Sequence, residues 1–178
     1  MPDSSEGDSS IIRRPMVGVM GSGQDEHADL AEPIGELIAG SGCHLLTGGG
    51  RGTMTATARG FTRINPRAGL SIGILRGRGD GRPVAGYPNA FVEIPIQTHL
   101  DESGKEGTGP MSRNHINVLS PDLVVALPGG FGTQSEIELA TRYGRRIIVH
   151  ATWKSAFPAL DCWESIDQCR RWIEGRLA

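Results

Sequence analysis

No apolar run in this 178-residue chain approaches the ~18 residues that a bilayer-spanning helix needs. The longest candidates, Met16–Met20, Leu123–Leu127 and Ile147–Val149, have the length of buried strands. Nor is there a surplus of positive charge. Lys and Arg total 18 against 20 Asp and Glu, a formal net charge of −2, which argues against the general cationic field behind non-specific nucleic-acid or anionic-membrane binding. Cysteine is scarce: Cys43, Cys162 and Cys169 are an odd set without Cys-x-x-C spacing, which argues against a disulfide framework and a thiol redox or zinc site. The 5 histidines show neither His-Glu-x-x-His nor His/Cys ligand spacing, so no metal and no cofactor is expected. The chain opens without a basic stretch followed by an apolar one, and a reducing, cytoplasmic setting is the expectation.

What the chain has in abundance is glycine, 26 residues, about twice the usual share of ~7%. There is no Gly-X-Y period, so these glycines serve turns or ligand loops. Residues 1–10 carry no large apolar side chain after Met1 and cannot offset the entropy of ordering. A disordered tail is therefore expected over 1–14, ahead of a single Rossmann-like nucleotide-binding domain over 15–178.

Within that domain short apolar runs alternate with helical segments. Strands are expected at Met16–Met20, His44–Leu46, Leu70–Leu75, Phe91–Ile96, Leu123–Leu127 and, last, Arg145–His150. Helices are expected over His27–Ala39, Thr53–Thr62, Met111–Leu119 and Thr133–Tyr143. Ile166, Cys169, Ile173 and Leu177 recur with the spacing of one more helix face, on which Cys162 is also expected to pack. Continuous apolar strands, each followed by a helix, indicate parallel βα units covered on both faces. The expected fold is α/β: a Rossmann-like, doubly wound, mainly parallel sheet with helices on both faces. Such sheets bind ligands outside the carboxyl ends of their strands.

Three glycine-rich loops fall at those ends. None is a dinucleotide fingerprint, because Gly21, Gly48 and Gly130 lead to Glu26, Thr53 and Ser135 where the final glycine of G-x-G-x-x-G belongs. None is a P-loop, since Gly104-Lys105 runs into Glu106. Gly48-Gly-Gly-Arg-Gly-Thr53 and Pro128-Gly-Gly-Phe-Gly-Thr133 nevertheless each run from a strand into a helix N-terminus. Free N–H groups, no obstructing Cβ and a positive dipole end make an anion site, most simply for phosphate. Glu136 carries two readings. With Thr133 it spells a capping box, and one turn into a phosphate-binding helix it lies beside whatever the phosphate is attached to.

Pro128-Gly-Gly-Phe-Gly-Thr-Gln-Ser-Glu136 resembles the P-G-G-x-G-T-x-x-E motif of the LONELY GUY cytokinin-activating phosphoribohydrolases, also called "possible lysine decarboxylases". The Thr47–Met54 loop is similar to that family's first glycine-rich loop, and Arg113 stands, 23 positions before Glu136, where its catalytic arginine stands. The resemblance runs from about Met16 to His150. It departs at Arg113-Asn114, where the family has Arg-Lys, and at His115-Ile-Asn117, where it has a Met further along the helix. The long loop after the third strand and the Met111-Ser-Arg113 lead-in are also similar to the molybdenum cofactor carriers of the same superfamily.

The resemblance implies hydrolysis of the N-glycosidic bond of a nucleoside 5′-monophosphate, AMP or a cytokinin nucleotide, to free base and ribose 5-phosphate, or else carriage of molybdenum cofactor or another phosphorylated ligand without turnover. Cleavage builds positive charge on the sugar, which a carboxylate stabilises while orienting water. Glu136 suits that role, and Arg113 suits holding substrate, pairing with Glu136 or aiding base departure. Phosphate is expected on the N–H groups of Gly129, Gly130, Gly132 and Thr133 and on the Thr133 hydroxyl. Gly48, Gly49, Gly50, Gly52, Thr53 and Met54 are expected to form the opposite wall, with Gly21 and Ser22 completing the crevice. The resemblance further implies a homodimer or higher homo-oligomer; from the charge balance and the short apolar runs, neither nucleic acid nor membrane is expected as a partner. Arg76, Arg78 and Arg82 lie in a loop suited to close over an anionic ligand. Trp153, Trp163 and Trp172 are expected to pack against the sheet or a second subunit.

Overall fold

The computed structural model describes residues 13–177; the part of the expected tail over 1–12 lies outside them. Arg13 pairs with Asp122 at 3.0 Å and Arg14 donates to the Gly42 carbonyl at 2.5 Å, so the chain is already seated as it enters the sheet. Seven strands follow: β1 (Met16–Met20), β2 (His44–Thr47), β3 (Ser71–Leu75), β4 (Ile94–Gln97), β5 (Leu123–Ala126), β6 (Ile147–His150) and β7 (Asp161–Trp163). They form one sheet in the order β4-β3-β2-β1-β5-β6-β7, with every pairing parallel. The helices are α1 (Ala28–Gly40), α2 (Thr53–Arg63), α3 (Asn114–Leu119), α4 (Phe131–Arg142) and α5 (Ile166–Leu177).

The pleat divides the apolar strands between two cores. Leu123 and Val125 of β5 join Val17, Val19 and Leu45 beneath α1, α2 and α5. Val124 and Ala126 join Met20, Leu46 and Val149 against Val118 of α3 and Ile137, Leu139 and Ala140 of α4. Both sheet faces are thus covered, as runs of apolar residues without alternation require. On the first face α1 and α2 approach backbone to backbone: a Cβ on Gly35 would overlap the Thr57 carbonyl, and one on Gly60 the Glu32 carbonyl. Arg59 then pairs with Glu26 and Glu32, and Arg63 with Glu32 and Glu36, along the flank of the same contact.

The differences from the sequence expectation are local. β4 begins at Ile94, later than Phe91, because Asn89 turns the preceding residues: its carboxamide oxygen accepts from Phe91 N and its carbonyl from Val92 N. Arg145–His150 is not the last strand, since the three residues of β7 pair with β6. Cys162 therefore lies in β7 while Cys169 lies in α5, and the two do not share a helix face. Helix α3 is shorter than Met111–Leu119, and α4 starts at Phe131, two residues before Thr133. The early start of α4 removes the capping box: the N-cap is Gly130, which has no side chain, and Thr133 sits inside the helix. Trp163 and Trp172 are buried in the first core, while Trp153 is half-buried at the carboxyl side of β6.

Candidate functional site

β1 is paired with β2 on one side and β5 on the other, so the chain's two directions of winding part beside it. Ladder bonds continue past the strand ends, Leu127 N to Met20 O at 2.8 Å and Ser22 N to Pro128 O at 3.2 Å, before the loops diverge. A crevice opens there, at the topological switch point where open α/β sheets take ligands. It has an outer chamber of about 880 Å³ and an inner one of about 180 Å³.

The floor is set by the Gly21–Asp25 turn. The Ser22 hydroxyl accepts from Gln24 N at 3.1 Å and Asp25 N at 2.9 Å, and the Ser22 carbonyl accepts from Thr53 N at 2.9 Å. Gly21 lies so close to Thr53 that a Cβ would come within 2.6 Å of its Cγ2. The first loop and the start of α2 are one packed unit.

One wall of the outer chamber is the start of α4. Among the described residues, the N–H groups of Gly129, Gly130, Phe131, Gly132 and Thr133 have no hydrogen-bond acceptor, the orphan donors that every helix N-terminus leaves. A Cβ on Gly130 or Gly132 would meet nothing within 4 Å, so these amides open onto the crevice. Thr133 is buried, with its Oγ1 packed against the Gly129 backbone. An anion here meets several N–H groups and the positive end of a 12-residue helix.

The inner chamber holds the two residues on which the chemistry was expected. Arg113, at the N-cap of α3, is buried beneath the Gly48–Gly52 loop. Its Nη1 donates to the Gly48 and Ile74 carbonyls, and its guanidinium carbon lies 5.5 Å from the Tyr87 ring centroid. Its Nε and Nη2 have no acceptor among the described residues. Glu136 projects from the second turn of α4 and accepts from Asn117 Nδ2 at 2.8 Å through Oε1, while Oε2 has no donor among the described residues. Burial pushes the Glu136 carboxyl up to about 7, against the opposing pull of the Asn117 hydrogen bond and the Arg113 charge. Burial likewise draws the Arg113 guanidinium below its ordinary value. Both line the same chamber, yet among the described residues no ion pair joins them.

The sequence-chosen residues therefore divide. Gly21, Ser22, Gly129, Gly130, Gly132 and Thr133 line the outer chamber; Gly48, Met54, Arg113 and Glu136 line the inner one. Gly49, Gly50, Gly52 and Thr53 line neither, because their loop is folded into the protein. Gly49 N donates to Thr47 Oγ1, Gly50 N contacts Met54 Sδ, and Gly49 O and Gly50 O accept from Asn89. Sequence reasoning missed Tyr87, Asn117 and Asp25, which come from loops and helix positions without a motif of their own. It treated Trp153 as packing, although the ring lines the outer chamber. Of the arginines expected to close over an anion, Arg76 borders both chambers, while Arg78 and Arg82 line neither. Among the described residues no group of three or more His, Cys, Asp or Glu side chains is placed to hold a metal ion, and no helix is long and apolar enough to cross a membrane.

Comparison with known proteins agrees with this architecture. The model of the SLOG cluster4 family (LDcluster4) matches residues 14–166. An uncharacterised protein of Archaeoglobus fulgidus is 35% identical over 133 residues, covering 74% of this chain and 76% of that protein. Among solved structures, the molybdenum cofactor binding protein of Rippkaea orientalis superposes with a TM-score of 0.75 at 29% identity, over 94% of this chain and 100% of that one. The molybdenum cofactor carrier protein of Chlamydomonas reinhardtii superposes with a TM-score of 0.72 at 27% identity, over 93% and 99%.

Proposed function

The chain belongs to the SLOG cluster4 family, and from that premise we propose that its single domain over 15–178 is a binding protein for a small phosphorylated ligand, seated with its phosphate on the opening amides of α4. The observation that carries this reading is the run of unpartnered N–H groups from Gly129 to Thr133, facing a crevice at the switch point of the sheet. Structures similar over nearly the whole chain are named as binders or carriers of molybdenum cofactor, and a phosphorylated pterin of that kind is the cargo proposed here. Holding fits the inner chamber. Arg113 is anchored to two backbone carbonyls, and a carboxyl with a pKa of about 7 is half-protonated at neutral pH.

A second reading, hydrolysis of a nucleoside 5′-monophosphate, is favoured by one observation: Glu136 keeps Oε2 free in the chamber that Arg113 shares. Water would add across the C1′–N bond, its hydroxyl going to C1′ and its proton to the departing base. Ionised Glu136 would stabilise the cationic sugar and orient that water.

One experiment separates the readings. Wild type and Glu136→Gln are incubated with a panel of nucleoside monophosphates, following base release by chromatography and binding by calorimetry. Carriage predicts binding without release in both proteins, and the wild type purified from its source retains a fluorescent pterin. Release by wild type alone establishes hydrolysis. Self-association and a cytoplasmic setting belong to the same proposal: Leu119 and Tyr143, 46% and 40% exposed on α3 and beside α4, are surface for a second copy. Sedimentation at micromolar concentration tests it, with a monomer as the contrary result.

A further inference from the structure

The α4 amides line the outer chamber, and the one at Gly132 also borders the inner chamber. Gly21, Gly23, Arg76, Ser103 and Gly104 border both as well, so an anion held beside Gly132 has open space on both sides. Resting on the phosphate reading above, we infer that the ligand is two-lobed. A phosphate or diphosphate bridge sits on the α4 amides, one group enters the inner chamber, and a nucleoside extends outward over Trp153 and Asp25.

Three observations support the outer lobe. First, the volumes are unequal: about 180 Å³ inside accommodates one ring-sized group, whereas about 880 Å³ outside lies at the upper end of small-molecule sites. A terminal phosphate would leave most of the outer chamber to water.

Second, the outer wall carries a fixed aromatic surface. The Trp153 indole donates from Nε1 to the Leu127 carbonyl at 2.9 Å and packs against Phe157 with ring centroids 6.1 Å apart. A half-buried ring held in this way is a platform on which a flat base stacks whatever its identity.

Third, the polar groups of the outer chamber suit hydroxyls better than a further anion. Asp25 has no side-chain hydrogen bond or ion pair among the described residues, while its backbone is fixed by Ser22. Asp25 is exposed at the rim of the chamber, where a carboxylate accepts from ligand hydroxyls and repels phosphate. Thr152 adds a hydroxyl on the same side. His27, at the same wall, holds a left-handed backbone (φ 43°) that is otherwise confined to glycines among the described residues.

The inner end needs a group of its own, because Arg113 and Glu136 are buried there with Nε, Nη2 and Oε2 unpartnered. The α4 amides, Arg76 and these atoms therefore define a ligand with phosphate at the middle, an acceptor-bearing ring facing Arg113 at the inner end and a base at the outer end.

The test uses calorimetric titration of the purified protein with inorganic diphosphate, adenosine 5′-diphosphate and ADP-glucose, whose sugar adds one ring-sized group to the diphosphate. ADP is expected to bind about ten-fold tighter than diphosphate, the factor that one stacked base contributes, and ADP-glucose tighter again. Trp153→Leu is expected to bring ADP down to the affinity of diphosphate. ADP binding no tighter than diphosphate, or a Trp153→Leu protein that holds ADP as tightly as wild type, overturns the outer lobe and leaves the phosphate reading standing. ADP-glucose binding no tighter than ADP overturns the inner lobe. Failure of all three to bind overturns both readings.

Discussion

The two glycine-rich loops at the head of the sheet begin alike and end differently. Each leaves a parallel strand and enters a helix, and each has the composition that frees backbone amides for an anion. In the Gly48–Gly52 loop the glycines are small because protein is packed against them. A Cβ at Gly48 would overlap the Arg113 guanidinium, at Gly50 it would come within 2.6 Å of the Tyr87 ring, and at Gly52 it would overlap the Ser22 carbonyl. In the Gly129–Gly132 loop, Gly130 and Gly132 face space that no protein atom fills. Glycine content marks close approach in both. What approaches is decided by the rest of the chain: the connection carrying Tyr87 and Asn89 covers the first loop and leaves the second open. The first loop builds the crevice, and the second is the one proposed to receive the ligand.

Gly48→Ala breaks the first loop most directly. The added methyl must displace a buried guanidinium whose Nη1 bonds to the Gly48 and Ile74 carbonyls. Overpacking together with an unseated buried cation is expected to cost about 3 kcal/mol, measured as a lowered urea midpoint at unchanged slope. A midpoint within error of wild type would mean that the loop is not packed in the way described.

Glu136→Gln tests the other side of the comparison, because this carboxyl is buried to serve the chamber that the first loop builds. Its folded value of about 7 lies above the ordinary carboxylate value of 4.5. The folded state therefore keeps a proton that the unfolded chain has already lost. The resulting stabilisation is complete below pH 4.5 and fades as pH rises through 7. At ~1.4 kcal/mol per pKa unit the change across that window is about 3.5 kcal/mol. Wild type without ligand should thus lose stability between pH 5 and pH 8. Glu136→Gln should lose less and exceed wild type at pH 8. Parallel curves for the two proteins would place the proton elsewhere.

Asn117→Leu has a smaller effect in the same measurement. Asn117 is fully buried, and among the described residues its one side-chain hydrogen bond goes to Glu136 Oε1 and its own Oδ1 has no donor. Removing that donor withdraws the main force holding the Glu136 carboxyl down. The fading of stability should move to higher pH by a shift worth about 1 kcal/mol. An unmoved window alongside an intact fold would show that Asn117 only fills space.

These residues also show how far the sequence could be read. Uninterrupted apolar runs such as Leu123-Val-Val-Ala126 place the strands, because burial on both faces leaves a continuous signal. The strand Asp161–Trp163 escapes notice because three residues at a sheet edge carry almost no period. Of the site, the α4 loop, Arg113 and Glu136 are visible through the family resemblance, and the structure gathers Arg113 and Glu136 in one chamber. The capping box is not realised, since the helix starts at Phe131 and Glu136 bonds instead to Asn117 across α3 and α4. Contacts between distant segments, Tyr87 over Gly50 or Asn117 beside Glu136, depend on how helices cross the sheet and leave no spacing in the chain.

The smallest effect on folding is expected at Gly130→Ala, and it sharpens the contrast with Gly48. Gly130 is the N-cap of α4 in an extended conformation (φ −108°) that alanine adopts, and its Cβ would meet nothing within 4 Å. Stability should stay within about 0.5 kcal/mol of wild type. The same methyl would stand over the amides proposed to hold phosphate, where close backbone approach is what glycine provides. Affinity for adenosine 5′-monophosphate, read by calorimetry, should fall by about ten-fold or more, the loss of one or two charge-assisted hydrogen bonds. If Gly130→Ala instead lowers the urea midpoint and leaves the affinity intact, the second loop is packed like the first, and the phosphate belongs elsewhere in the crevice.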